Sequence, residues 1–158
     1  YHIPAATGIG FSLDLLERLK EKFPNQFAGI KDSSHDEAFA AALGQRFGKE
    51  LLVLNGTDSY FHHALKNHAQ GAITAPANLI SDNLREVWDL YQEGKDPSEM
   101  QAKVTEQRHV LENYSPIAPV LKGLLHKIHG LPQWAVRPPL ESMDEKKLED
   151  AAEKFLKI

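Results

Sequence analysis

The sequence contains no cysteine. That excludes a disulfide framework, a thiolate zinc site and a cysteine nucleophile. No apolar run approaches the roughly 20 residues needed to cross a bilayer, and no signal-peptide pattern opens the chain. A basic excess is missing too: the formal net charge is −4, which argues against a nucleic-acid surface built on bulk positive charge. There is no low-complexity tract. The absences point to a cytoplasmic protein with neither a nucleic-acid nor a membrane partner.

What remains is ordinary globular composition, 42% hydrophobic and 25% charged over 158 residues, enough for a domain with a real core. The chain opens "YHIPAATGIG", without methionine and directly in what reads as an apolar strand. A domain that starts inside a strand is expected to have lost something before it.

Residues 1–3 read as a strand, followed by a loop from Pro4 to Gly10. Ser12 is placed to cap "LDLLERLKEKF", whose leucines follow helical spacing. Strand "FAGIK" (27–31) comes next. A helix capped by Ser33 or Ser34 then runs to Gly44–Gly48. "LLVLNG" (51–56) shows no polar alternation, so it is expected to be buried on both faces. A helix near 58–69 leads to a last strand, "GAITA" (71–75). Four strands separated by helices imply a parallel sheet with right-handed crossovers. After residue 77 the pattern turns all-helical, with Asp144 as the N-cap of the final helix. The expected division is 1–77 for the βα units and 78–158 for the helical region.

Four such units suit either an open doubly wound sheet or half of an eight-stranded barrel, and both place ligands at the carboxyl ends of the strands. Lys31 ends a buried strand there, although lysine is rarely buried unless paired or chemically employed. A lysine in an apolar site can act as a Schiff-base nucleophile, because low dielectric favours the neutral amine. Such chemistry needs a proton shuttle, which a tyrosine phenol can supply. Tyr1 and Lys31 end consecutive strands, and neighbouring strands lie about 4.8 Å apart.

Other patterns carry less. "GIGFSL" has two of the three glycines of a dinucleotide fingerprint, and "NGTDS" lacks a phosphate-binding lysine. His62 and His63 point in different directions on one helix, with no carboxylate at ligand spacing; together with His68 they read as helix surface. His126 and His129 read as packing or capping groups. Asp58 can cap its helix or contact a ligand. The charged tail from Glu141 to Lys154 reads as a solvated helix face. No metal site is expected.

The segments "YHIPAATG", "GIKDSS", "LNGTD", "GAIT" and "VRPPL", in this order, resemble the C-terminal part of the dihydrodipicolinate synthase / N-acetylneuraminate lyase family of pyruvate-dependent class I aldolases. The resemblance implies an α/β fold in which the chain supplies strands five to eight of a (β/α)8 TIM barrel plus a C-terminal helical region. It implies Lys31 as the imine-forming lysine and Tyr1 as the proton relay. Substrate contacts are implied for Ser33, Thr7, Gly8, Gly56, Asp58, Thr74 and Ala75. The implied partners are pyruvate and an aldehyde, with no cofactor beyond the covalent imine to Lys31. A homo-oligomer, or pairing with a missing N-terminal half, is implied by the uncovered edges of a half-barrel.

Two departures matter. Dihydrodipicolinate synthases usually carry an arginine at the position of Ala6 to hold a substrate carboxylate; alanine cannot, which favours 2-keto-3-deoxy sugar acids. The "GTTGE"-like loop that binds the pyruvate carboxylate is nowhere in these 158 residues. The sequence therefore points to a lyase fragment inactive by itself. The alternative is a non-catalytic assembly fragment with vestigial active-site residues.

Overall fold

Local signals start several of the helices in the computed structural model, which describes all 158 residues. The Ser12 hydroxyl accepts a hydrogen bond from Leu15 N at 3.2 Å and opens α2 (Leu13–Lys22). Asp144 accepts from the amides of Lys146 and Lys147 and opens the last helix, α8 (Glu145–Leu156). A free side-chain oxygen beside the orphan amides of a first turn explains both. Ahead of α2, Pro4 begins a single helical turn, α1 (Pro4–Thr7), where a loop was expected. Proline's fixed φ and missing N–H suit it to that first position.

One cap differs from expectation. Helix α3 (Glu37–Phe47) is opened by Asp36, whose carboxylate accepts from Phe39 N at 2.9 Å, and not by Ser33 or Ser34. Both serines are already committed. The Ser33 side chain hydrogen-bonds with Tyr1, and Ser34 donates through its amide and its hydroxyl to the Asp32 carboxylate.

The sheet has three strands, β1 (Gly29–Asp32), β2 (Leu52–Asn55) and β3 (Gly71–Ala72), parallel and in chain order. Lys31 stands opposite Leu54, and Leu54 opposite Gly71. The expected strand at residues 1–3 shrinks to one parallel bridge from His2 to Asp32, because the chain turns into α1 at Pro4. It still lies on the free side of β1, so four segments run side by side in sequence order. After β2, a 3-10 turn (Asp58–Tyr60) leads into α4 (Phe61–Lys66). Beyond β3 come α5 (Ala77–Gln92), α6 (Ser98–Glu112), α7 (Ile117–His129) and α8.

Alternation along the strands gives the sheet two unlike faces. Ile30, Leu51 and Val53 are buried with Leu16, Leu43 and Phe47 beneath the sheet. On the opposite face Leu52 is 50% exposed and Ile73 52%. The expectation that "LLVLNG" is buried on both faces fails for this reason: within the chain, helices cover only one side. A second, larger cluster joins α4 to α8 through Phe61, Leu65, Val87, Val104, Leu124 and Leu148. Helix α4 serves both, with Ala64 facing the sheet cluster and Phe61 and Leu65 the helical one.

Candidate active site

Parallel strands place the residues that follow them at one end of the sheet, and that end opens into a cleft of about 410 Å³. Tyr1, Lys31, Ser33, Gly56, Thr74 and Ala75 line its sheet side, while Arg108, Leu111, Glu112, Ser115 and Ile117 line the helical side. Lys31 Nζ donates to Tyr1 Oη at 3.2 Å and sits 4.3 Å from the centroid of the tyrosine ring. The backbone enforces this pairing: His2 N donates to Lys31 O, and Ser33 N to His2 O, so residue 1 lies beside residue 31.

Tyr1's phenol is lowered from its ordinary value. A hydrogen bond with Ser33 is the largest cause; burial works against it, and the hydrogen bond and positive charge of Lys31 lower it further. A phenol that gives up its proton more readily, beside an amine, is suited to passing protons. Gly56 comes so near β1 that a side chain there would strike Ser33 Oγ and the Asp32 carbonyl. The glycine thus lets the β2 loop close onto the serine.

Three of the nine residues named from the resemblance lie off the cleft wall. Thr7 and Gly8 end α1 in an exposed turn, with Gly8 at φ 69° and the Thr7 hydroxyl bonded to backbone at Ile3 and Ile9. Asp58 is fully buried, and its Oδ1 accepts from Arg108 Nη1 at 2.6 Å. No group of three or more histidine, aspartate or glutamate side chains is gathered to hold a metal ion.

Two pairs were not foreseen from the sequence. His2 and Asp32 are each at least 95% buried and meet at 2.8 Å, with Phe11 and Phe39 against the imidazole. Each directly follows a proposed catalytic residue, so strand alternation turns the pair to the face opposite Tyr1 and Lys31. That "YH" and "KD" sit on neighbouring strands was the available signal. The other pair, Arg108 with Asp58, joins residues 50 apart in sequence. Its only local sign was the i, i+4 spacing of Arg108 and Glu112. Burial works to lower the Arg108 guanidinium's value, but hydrogen bonds and charge from Asp58 and Glu112 outweigh it, and the net shift is upward.

Comparison with known proteins places this arrangement. All 158 residues match the Dihydrodipicolinate synthetase family, and the chain belongs to it. An uncharacterized DapA-like lyase of Chloroflexus aurantiacus is 33% identical over 140 residues, covering 89% of this chain and 46% of the relative. A 4-hydroxy-tetrahydrodipicolinate synthase of Archaeoglobus fulgidus is 28% identical over 97% of this chain and 52% of its own. Among solved structures, dihydrodipicolinate synthase from Agrobacterium tumefaciens superposes with a TM-score of 0.84 at 28% identity, over 99% of this chain and 52% of that one. The chain thus spans about half the length of the relatives it matches. No helix in it is long and apolar enough to cross a membrane.

Proposed function

We propose that this chain carries the imine-forming half of a Schiff-base lyase acting on pyruvate and an aldehyde, and that it corresponds to strands five to eight of a (β/α)8 barrel with the helices that follow. The carrying observation is the Lys31 Nζ–Tyr1 Oη contact of 3.2 Å at the carboxyl end of parallel strands, inside a cleft that Ser33 also lines. Family membership supports it.

In this scheme the neutral Lys31 amine attacks the C2 carbonyl of the 2-oxo acid. Tyr1 Oη relays the ammonium proton of the adduct to its alkoxide, then gives its own proton to the resulting hydroxyl, which leaves as water and leaves Tyr1 as the phenolate. The resulting iminium draws electrons from C3. Transfer of a C3 proton to the Tyr1 phenolate then gives an enamine that adds to the aldehyde carbonyl, and the reverse sequence cleaves the same bond. The Tyr1 phenol then protonates the new alkoxide. Ser33, Gly56, Thr74 and Ala75 form the floor around the bound acid; Thr7, Gly8 and Asp58 act as framework. No cofactor enters beyond the substrate imine. Alanine at position 6 offers no charge to a second carboxylate, so a 2-keto-3-deoxy sugar acid is favoured over dihydrodipicolinate synthesis.

The chain alone carries the nucleophile without the loop that holds the pyruvate carboxylate. Orientation and charge stabilisation by such groups are each worth several kcal/mol of barrier. Pyruvate with borohydride should therefore label Lys31 slowly, Lys31→Ala should remove the label, and aldol turnover should be undetectable until a chain carrying strands one to four is added. Full turnover by the 158 residues alone would refute the assignment of the carboxylate site. A second reading, a non-catalytic assembly fragment, draws on the open sheet face at Leu52 and Ile73, which also favours pairing with a homologous half or a further copy. Absence of any Lys31 label under saturating pyruvate would favour it.

A further inference from the structure

The helical wall of the cleft is built with more polar structure than a lid requires. Helix α6 is stitched to the 3-10 turn by side chains: Gln101 Nε2 donates to Asp58 O, Thr105 Oγ1 to Ser59 O, and His62 N to Gln101 Oε1. This fixes the stretch of α6 that carries Arg108 and Glu112, one turn apart. Arg108 Nη1 is bonded to the buried Asp58 and Nε to Glu112 Oε1, each at 2.6 Å. Its Nη2 has no hydrogen-bond partner, nor has Glu112 Oε2, and both residues line the cleft. Ser115, exposed at the start of the next segment, adds a hydroxyl to the same wall.

The charges here decide the kind of ligand. Two carboxylates, one wholly buried, face one guanidinium, so the wall carries surplus negative charge and repels an anionic group. Free donors on Arg108 and free acceptor capacity on Glu112 match a neutral hydroxyl, which accepts from the first and donates to the second.

We propose that Arg108, Glu112 and Ser115 form the subsite for the hydroxylated chain of the substrate, the part derived from the aldehyde, and that Asp58 serves as the buried anchor of Arg108. This rests on the Schiff-base reading of Lys31 and deepens it. Substrate choice is thereby assigned to the helical region and the covalent chemistry to the sheet.

The test compares two six-carbon 2-oxo acids in borohydride trapping of the 158-residue chain, read as the concentration giving half-maximal Lys31 label. One is 2-keto-3-deoxygluconate, hydroxylated at C4 to C6; the other is 2-oxohexanoate, which lacks hydroxyls. Wild type should favour the hydroxylated acid by about tenfold, the scale of a charge-assisted hydrogen bond. Arg108→Lys and Glu112→Ala should each bring the ratio, taken within the same variant, to within about threefold of unity. The internal ratio cancels any general loss of reactivity, and Glu112→Ala, at an exposed position, keeps the test valid if Arg108→Lys does not fold. Equal half-saturation in wild type, or full preference retained in both variants, overturns the subsite while leaving pyruvate labelling intact. Failure of pyruvate itself to label Lys31 overturns the Schiff-base reading, and the subsite falls with it.

Discussion

Replacing Arg108 by alanine should be among the most destabilising single changes in the helical half. Asp58 is wholly buried, and Arg108 is the sole group that hydrogen-bonds its carboxylate. Asp58 Oδ2 already has no partner, so the carboxylate has little reserve. Removing the guanidinium leaves a buried anion uncompensated, a change that typically costs about 3–5 kcal/mol. With an m-value near 2 kcal/mol/M, the urea midpoint should fall by roughly 1.5–2.5 M at neutral pH. Glu112→Ala breaks the other half of the same network, but at a half-exposed carboxylate, and should cost under about 1 kcal/mol. The diagnostic variant is the double substitution. Asp58→Asn in the Arg108→Ala background removes the stranded charge and should recover a substantial part of the loss. If Arg108→Ala alone costs less than about 1 kcal/mol, or the added Asp58→Asn destabilises further, the anchoring role of Asp58 is refuted.

Asp32→Ala should cost about 2–4 kcal/mol in urea unfolding, since it orphans a buried imidazole and two Ser34 donors; Asp32→Asn, which keeps an acceptor, should cost clearly less. Gly56→Ala should destabilise by about 1–3 kcal/mol and slow Lys31 labelling, because the new methyl collides with Ser33 Oγ and the Asp32 carbonyl; unchanged labelling would show that the Ser33 position is irrelevant. The Tyr1 phenol should ionise below the ordinary value near 10, seen at 295 nm as the difference between wild type and Tyr1→Phe, and Ser33→Ala should move the transition upward. Because the folded value is the lower one, this ionisation adds stability above the unfolded value, and the increment disappears as pH falls through the folded value.

The fold was legible where local physics and tertiary structure agree. Leucine spacing and a capping hydroxyl placed α2, and alternation of strand and helix gave the parallel order of the sheet. The contact between Tyr1 and Lys31 followed from two residues ending neighbouring strands. Sequence pattern failed where a distant group outcompeted a local one. Ser33 and Ser34 read as caps because nothing nearby revealed that Tyr1 and the Asp32 carboxylate would engage their side chains. The apolar run at 51–56 implies burial on both faces only if something covers both, and the chain supplies one cover. Asp58 stayed ambiguous between cap and ligand, because its partner arrives from 50 residues downstream.

The two unforeseen pairs have a common logic. His2–Asp32 lies on the sheet face opposite Tyr1–Lys31 and joins the same two segments, so it fixes the register on which the 3.2 Å contact depends. Asp58–Arg108 ties the loop after β2 to α6 and so fixes the opposite wall. Each is a buried polar pair beside, rather than in, the proposed chemistry. Such pairs contribute little net stability over an apolar replacement, yet losing one partner is costly, which makes them effective at holding one geometry. In the proposed subsite a change at Glu112 or Ser115 would alter what the far end of the cleft recognises without touching the backbone bonds that hold Lys31 beside Tyr1. Under the proposed function, specificity can vary on α6 and the α6–α7 connection while the proposed imine chemistry on β1 stays fixed.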